Sequence, residues 1–242
     1  MGFFRGPNIV RDGLLYALDA SSPTSYPGSG AIWYNLASIG KANTATLSGT
    51  IDTQVSNEPF YIEGDGVDGE VFIPGGTDSN LNFDNTDSFS IESWFNLQAM
   101  PSSGNTTAVV AKAYRCGIDI YYPTVNSMVL RVGVRGPTAQ NIISQTSSNV
   151  ELNVWYNVIF TYTPSSATGV KLFLNGSLNN SGTNSGQDDF SNNTNYTVGG
   201  NEALAGTPKF SNLQTAAVRF YNRALSNAEV LQNYNALKQR FV

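Results

Sequence analysis

The sequence predicts an all-β protein: a two-sheet antiparallel sandwich of the jelly-roll type, closed by one short C-terminal helix. Three observations carry this expectation. Apolar residues recur at every second position in several separate stretches, the period of a strand with one face on a core. Gly, Asn and Pro clusters punctuate those stretches where tight turns need them. The period then changes once, near the end of the chain, from two to the three-or-four of an amphipathic helix. At 242 residues, with no fixed-period repeat and no dividing linker, the chain reads as one sandwich domain over residues 13–242, preceded by an arm at residues 1–12.

The elements follow in chain order. The arm carries Phe3, Phe4, Ile9 and Val10, interrupted by Gly6 and Pro7. Two readings stand beside each other: an arm that docks on a neighbouring subunit, or a frayed terminus or strand of the same domain. Gly64-Asp65-Gly66 and Pro74-Gly75-Gly76 read as turns or loops. From Ser88 to Leu97, the residues Phe89, Ile91, Phe95 and Leu97 share one strand face, opposite Ser90, Glu92, Trp94 and Asn96. Met128, Leu130, Val132 and Val134 form a second inward set, with Arg131 opposite. Val154, Tyr156, Val158, Phe160 and Tyr162 form a third, and Val170, Leu172 and Leu174 a fourth. Asn175-Gly176 supplies the positive φ angles of a tight hairpin. Asn179 to Asn195, rich in Asn, Ser, Gly and Asp, reads as a long exposed loop. The last strand runs from Ala216 to Tyr221. Ser226 and Glu229 then have the spacing of a capping box, Leu225 and Val230 that of a hydrophobic staple, and Val230, Tyr234 and Leu237 recur at helical spacing.

Composition narrows the function classes. The net charge is -5 and charged residues make up only 13% of the chain, so the basic footprint of a nucleic-acid binder is missing. No apolar run of about 18 residues is present to span a membrane as a helix. The chain has no histidine, which removes the commonest general base and zinc ligand and every Ser-His or Cys-His pair. The single cysteine, Cys116, cannot form an intramolecular disulfide and reads as a small buried hydrophobe. The opening residues lack the apolar core of a signal peptide, so the expectation is synthesis in a cytoplasm. The Asn-x-Ser/Thr triplets at Asn175 and Asn195 are then features of polar loops, not glycosylation sites.

Several segments resemble a known family. FSIESWFN (Phe89 to Asn96) is similar to the "F-T-I-E-A-W" strand of concanavalin A-like, laminin-G-like domains, and EGDGVDGEVFIP (Glu63 to Pro74) to their "F-x-G-x-x-D-Y-V-x-I-P" hairpin. NVWYNVIFTYTPSSATGVKLFLNG (Asn153 to Gly176) resembles their "W-H-H-V-A-x-T-Y-D-G… L-Y-V-N-G" pair, with Tyr156 and Asn157 where histidines are common. VRFYNRALSNAEVLQNYNALKQRF (Val218 to Phe241) resembles the closing strand and helix. Two flanks look like virion proteins of tailed bacteriophages, marine and cyanobacterial phages especially. These are GLLYALDASSPTSYPGSGAIWYNL (Gly13 to Leu36) and the ending QNYNALKQRF (Gln232 to Phe241), which has Gln239 where a Gly is frequent. The resemblance implies a concanavalin A-like fold and a virion protein made in the host cytoplasm.

The same fold hosts laminarinase-type glycosidases, whose catalytic strand carries Glu-Ile-Asp-Ile-Glu. Retention needs a nucleophile and an acid about 5 Å apart. Here the strand reads Gly117-Ile118-Asp119-Ile120-Tyr121, so both glutamates are replaced and no hydrolysis by that route is expected. Asp119 is expected to be a solvent-facing strand residue, and Arg131 and Arg135 to lie on a solvated face. Asp65 and Asp68, with Glu63, are candidates for calcium in a Gly-rich turn; the plainer reading is that they only favour the turn. Asp84 and Asp87 form a second, weaker acidic loop. A sugar site needs an aromatic platform beside amides and carboxylates, and Trp33, Tyr34 with Asn35, and Tyr121 with Tyr122 are candidates; core packing is the alternative for each. The functional expectation is a non-catalytic phage virion structural protein, a decoration, fibre or appendage component whose partners are other virion proteins or copies of itself. The alternative is a carbohydrate-binding adhesin for host-surface glycans. No cofactor is implied beyond the calcium candidate.

Overall fold

The computed structural model describes residues 7–37, 44–76, 79–100, 106–112, 116–122, 127–135, 140–144, 149–184, 191, 193–200 and 210–241, with the backbone alone at 140–144 and 184. The strands within them are β1 (Leu14–Asp19), β2 (Ile32–Trp33), β3 (Ala45–Ser48), β4 (Ile51–Gln54), β5 (Tyr61–Gly64), β6 (Glu70–Ile73), β7 (Phe89–Leu97) and β8 (Thr106–Lys112). They continue as β9 (Cys116–Tyr121), β10 (Val129–Arg135), β11 (Gln140–Ser144), β12 (Trp155–Tyr162), β13 (Ser166–Leu174), β14 (Ser177–Asn184), β15 (Tyr196–Val198) and β16 (Leu213–Tyr221). Two antiparallel eight-stranded sheets result. Sheet I has the order β14-β13-β12-β7-β16-β5-β4, with β1 also paired to β16; sheet II runs β11-β10-β9-β8-β15-β6-β3-β2. This is the expected sandwich with one C-terminal helix, α1 (Asn227–Leu237). Its strands outnumber the alternating stretches because pieces as short as Ile32–Trp33 and Ile51–Gln54 are too brief to show a period.

The inward sets pack as their alternation requires. Phe89, Ile91, Phe95 and Leu97 of β7, with Val158, Phe160 and Tyr162 of β12, meet Ile118, Ile120, Leu130, Val132 and Val134 of sheet II in one core. Phe89 stacks between Phe83 and Tyr162 at 4.6 and 5.1 Å. Cys116 is a buried, unpaired thiol, pushed up to about 12 by burial, as a structural cysteine should be. Val154, read as the start of the β12 face, instead precedes the strand and is exposed.

Asn175 (φ 49°) and Gly176 (φ 80°) make the β13–β14 hairpin. Only glycine fits the second position, because a Cβ there would lie 2.8 Å from the Tyr234 ring of α1. The expected loop from Asn179 to Asn195 is corrected in its first third. Asn179–Asn184 continue β14 against β13, since backbone pairing to an adjacent strand outweighs the weak strand propensity of Asn, Ser and Gly. The last strand begins at Leu213, three residues earlier than its apolar run.

The larger departure concerns the outer face of sheet I. Alternation placed Ser90, Glu92, Trp94 and Asn96 opposite the core, yet every residue of β7 and β16 is buried. A cover made of α1, the closing turn Lys238–Arg240 and the described part of the arm lies over them. The capping box forms as read, with Ser226 and Glu229 bonded reciprocally, and Leu225 and Val230 meet in one cluster with Val10, Ile159, Phe173 and Tyr221. Beneath the helix, Arg219 Nη1 donates to Glu92 Oε1 at 3.0 Å, and both side chains are essentially sealed. Asn157 Nδ2 donates to the same oxygen, while Asn233 Nδ2 of α1 donates to Glu92 Oε2 and lies 2.9 Å from the Tyr221 hydroxyl. The arm joins at Val10: its N–H donates to Asn233 Oδ1 and its carbonyl accepts from the Tyr221 hydroxyl. The described residues of the arm therefore lie on their own domain.

Candidate functional site

Five strands of sheet I set one lateral row across its outer face. In register, Asp52 (β4) faces Glu63 (β5), Glu63 faces Gln214 (β16), Gln214 faces Asn96 (β7), and Asn96 faces Trp155 (β12). Period-2 alternation puts all five side chains on the same side. Gln214 Nε2 donates to Glu63 Oε2 at 2.9 Å. Tyr61, two residues before Glu63, is on that side too.

Three strand steps, about 14 Å at 4.8 Å each, separate β5 from β12. The Tyr61 and Trp155 rings nevertheless stand 6.1 Å apart. They must lean towards each other over Gln214 and Asn96, which is why those amides are only 8% and 6% exposed. Phe241, after the closing turn, packs on Trp155 at 4.7 Å and on Trp94 at 4.3 Å, and Trp94 stacks on Tyr234. The result is a line of rings in which Trp94 is buried and Tyr234, Tyr61, Trp155 and Phe241 are half-buried. Burial first, then the charges of Glu63 and Asp52, push the Tyr61 hydroxyl above its ordinary pKa, so two carboxylates border this ledge. Asn96 Oδ1 is buried with no hydrogen-bond partner.

The candidates named from sequence fare differently. Trp33 is fully buried in the core and presents no platform, a correction explained by the inward packing of the N-terminal segment. Tyr34 is half-buried on a coil after β2, its N–H donating to the Ser25 carbonyl. Tyr121 is half-buried, but the Arg131 guanidinium lies over its ring at 4.4 Å. Asp119 is not solvent-facing, nor is Arg131 on a solvated face. The two form a fork of 2.7 and 2.9 Å with side chains 19% and 15% exposed, because β9 and β10 put them directly opposite. Burial raises the Asp119 pKa against the pull of Arg131.

Asp65 Oδ1 accepts three backbone N–H groups, from Val67, Asp68 and Gly69, and Asp68 Oδ1 accepts from Thr50. Slight burial pushes the Asp65 carboxyl up, and the backbone donors outweigh it, leaving it below its usual range. Gly49 (φ 71°) closes this turn where a Cβ would strike the Asp68 carbonyl at 2.0 Å. The turn role is thus realised for both aspartates. Asp84 and Asp87 likewise serve their own loop, Asp84 Oδ1 accepting from Thr86 and Asp87 Oδ2 from the Asp84 N–H. Among the described residues no three of Asp, Glu, Cys and His gather as a metal site would need.

Comparison with known proteins adds a family and a fold. A family profile described as the concanavalin A-like lectin/glucanases superfamily matches residues 65–231. No curated protein matches in sequence. Among solved structures, the binding domain of Paraclostridial Mosquitocidal Protein 1 superposes with a TM-score of 0.71 at 15% identity, over 93% of this chain and 52% of that one. A Trypanosoma rangeli sialidase in complex with sialic acid gives 0.66 at 18%, over 94% and 33%. The binding domain of botulinum neurotoxin DC in complex with SialylT gives 0.65 at 15%, over 94% and 52%. The chain thus spans about a third to a half of the length of the structures it matches.

Proposed function

The chain belongs to the concanavalin A-like lectin/glucanases superfamily, and from that premise we propose that it is a non-catalytic module that binds carbohydrate on the Tyr61–Trp155–Phe241 ledge. The observation that carries the reading is the register row Asp52–Glu63–Gln214–Asn96–Trp155 beneath those rings. A pyranose offers an apolar face of C–H groups and an equatorial fringe of hydroxyls. A half-exposed indole takes the former, and carboxylates and amides take the latter. The neurotoxin binding domain of similar fold, in complex with SialylT, supports sugar binding as the class. Glu63 and Asp52 would repel a sugar acid, so the ligand of this ledge is a neutral glycan.

The strand around Asp119 lacks the carboxylate pair that laminarinase-type hydrolysis needs. Gly117 and Tyr121 flank Asp119 on its strand face, and the Asp119 carboxylate is held in the Arg131 fork. No nucleophile and acid of the laminarinase kind stand there. The test is a glycan array followed by calorimetry. Neutral oligosaccharides should bind at micromolar to millimolar Kd and should not be cleaved, and Tyr61→Ala should weaken binding at least about tenfold. An array that lights only with acidic glycans, or turnover of any β-glucan, contradicts the reading.

A second reading, a structural subunit of a phage particle, rests on the phage-like opening and closing segments. One ion pair joins them directly: Arg240 pairs with Asp19 at 2.8 Å. Gln232 and Asn233 of the closing segment also hold Asn8 and Val10 of the arm that precedes the opening one. The protein should then be found in purified particles, with partners among the other virion proteins or copies of itself. Deleting Met1–Pro7 should spare the fold and block incorporation; normal incorporation of the truncated chain counts against an assembling arm.

A further inference from the structure

The cover over sheet I does not close completely. Beside β1 it leaves a cavity of about 290 Å³, lined by Arg219, Asp19, Arg11, Ile9, Leu14 and Leu36 among others. That volume is at the small end of ligand pockets.

Arg219 is only 2% exposed. A guanidinium carries five N–H donors. Among the described residues Glu92 Oε1 is its one hydrogen-bond partner, reached by Nη1 alone. A buried charge rarely leaves most of its donors unused, because each one forgoes both water and a protein partner.

The nearby acids are already engaged. Glu92 accepts from Asn157 and Asn233 as well as from Arg219, and Asp19, whose charge also acts on Arg219, accepts at Oδ1 from Arg240 and from the Ser21 N–H. Arg11 is exposed and makes no ion pair among the described residues. The pocket therefore combines spare fork-shaped donors and one uncompensated positive charge with aliphatic walls.

We infer that this cavity is a binding site for a small organic carboxylate with an apolar body, its oxygens on Arg219 and its body between Ile9, Leu14 and Leu36. Carboxylate geometry matches the guanidinium fork, and the aliphatic walls disfavour a fully hydrated anion such as phosphate. This site is independent of the ledge, which lies elsewhere on the sheet and favours neutral ligands.

The experiment titrates the full chain with sodium benzoate and sodium hexanoate, with benzamide as the neutral counterpart, and follows amide and arginine side-chain signals by NMR. Arg219→Ala is not the variant of choice, because it would strand Glu92. Ala37→Trp fills the cavity from its lining, and Leu36→Glu, at a 43% exposed position, sets a competing carboxylate beside it. Both carboxylates should shift the Ala17, Leu18 and Arg219 signals saturably with a millimolar Kd, and benzamide should bind at least about tenfold more weakly. Arg11→Gln should weaken benzoate several-fold, and whichever blocking variant folds should abolish its binding. The proposal is overturned if neither carboxylate shifts these signals at about 10 mM, if benzamide binds as well as benzoate, or if a folded blocking variant binds benzoate as tightly as the parent.

Discussion

The two faces of sheet I are both buried at its central strands β7 and β16, yet they are made of opposite materials. On the inner face Ile91, Phe95, Phe160 and Leu172 meet sheet II through apolar contact alone. On the outer face, the same strands place Glu92, Asn157 and Arg219 under a helix that contributes Asn233. Apolar packing is tolerant of register and angle, so it makes the sandwich without dictating where a cover must sit. The hydrogen-bonded ion pair is intolerant, since each member needs its partner at one position. The inner face thus gives stability, and the outer face fixes how helix, arm and sheet are placed. The ledge and the Arg219 cavity lie at the margins of that cover.

The sharpest way to break this contrast is to remove half of the ion pair. Arg219→Ala leaves Glu92 charged, buried and unpaired, and should cost about 3–5 kcal/mol in denaturant unfolding. The double change Glu92→Leu with Arg219→Met should restore most of that loss, because two apolar groups need no partners. On the inner face Leu172→Ala should cost about 2–5 kcal/mol, with no second substitution of that sort able to rescue it. Equal losses for Arg219→Ala and the double variant would erase the distinction between the faces.

A smaller effect separates helix docking from helix formation. Asn233→Ala removes the donor to Glu92 and the acceptor of the Val10 N–H. It should cost about 1–3 kcal/mol and speed hydrogen exchange at Val10. Ser226→Ala takes away the N-cap alone and should cost about 1 kcal/mol, leaving Val10 protected. If the cap variant loosens the arm as much as Asn233→Ala does, the arm is held by the helix end and not by the polar cluster.

The smallest effect is a pH dependence. The Arg223 hydrogen bonds first, then those of Ser226, outweigh burial and pull Glu229 from 4.5 down to about 2. A folded pKa below the unfolded one stabilises at pH above about 4.5, and the gain is lost as pH falls towards 2. Glu229 is partly exposed, so solvent screening limits the gain to roughly 1 kcal/mol. Glu229→Gln should flatten this part of the stability curve. Calcium at millimolar concentration should leave the melting temperature nearly unchanged, since Oδ1 of both Asp65 and Asp68 already serves backbone N–H groups and, among the described residues, no third acid gathers there.

The inner face was legible in the sequence because its signal is local. Phe89, Ile91, Phe95 and Leu97 announce a strand face without reference to any other segment, and Ser226 with Glu229 announces a helix start in four residues. The ledge was not legible, because its members come from β4, β5, β7, β12 and β16 and are brought together only by cross-strand register. Of the aromatic residues named from the sequence, Trp33 is sealed in the core while Tyr34 and Tyr121 are half-buried, because exposure of a ring depends on which neighbour leans over it. The burial of Glu92 and Arg219 was hidden for a related reason, since alternation tells which side a residue faces and not whether that side is covered.

The central claim, that the ledge end of the outer face binds carbohydrate, can be read through one side chain. Of the three tryptophans, Trp33 and Trp94 are sealed and Trp155 alone is half-exposed. Titration with a neutral oligosaccharide chosen from the array, monitored by intrinsic fluorescence, should give a saturable change in emission. Trp155→Phe should abolish that change with the fold intact by circular dichroism. A saturable change that survives Trp155→Phe, or calorimetric binding that is unaltered in Trp155→Ala, would contradict the account.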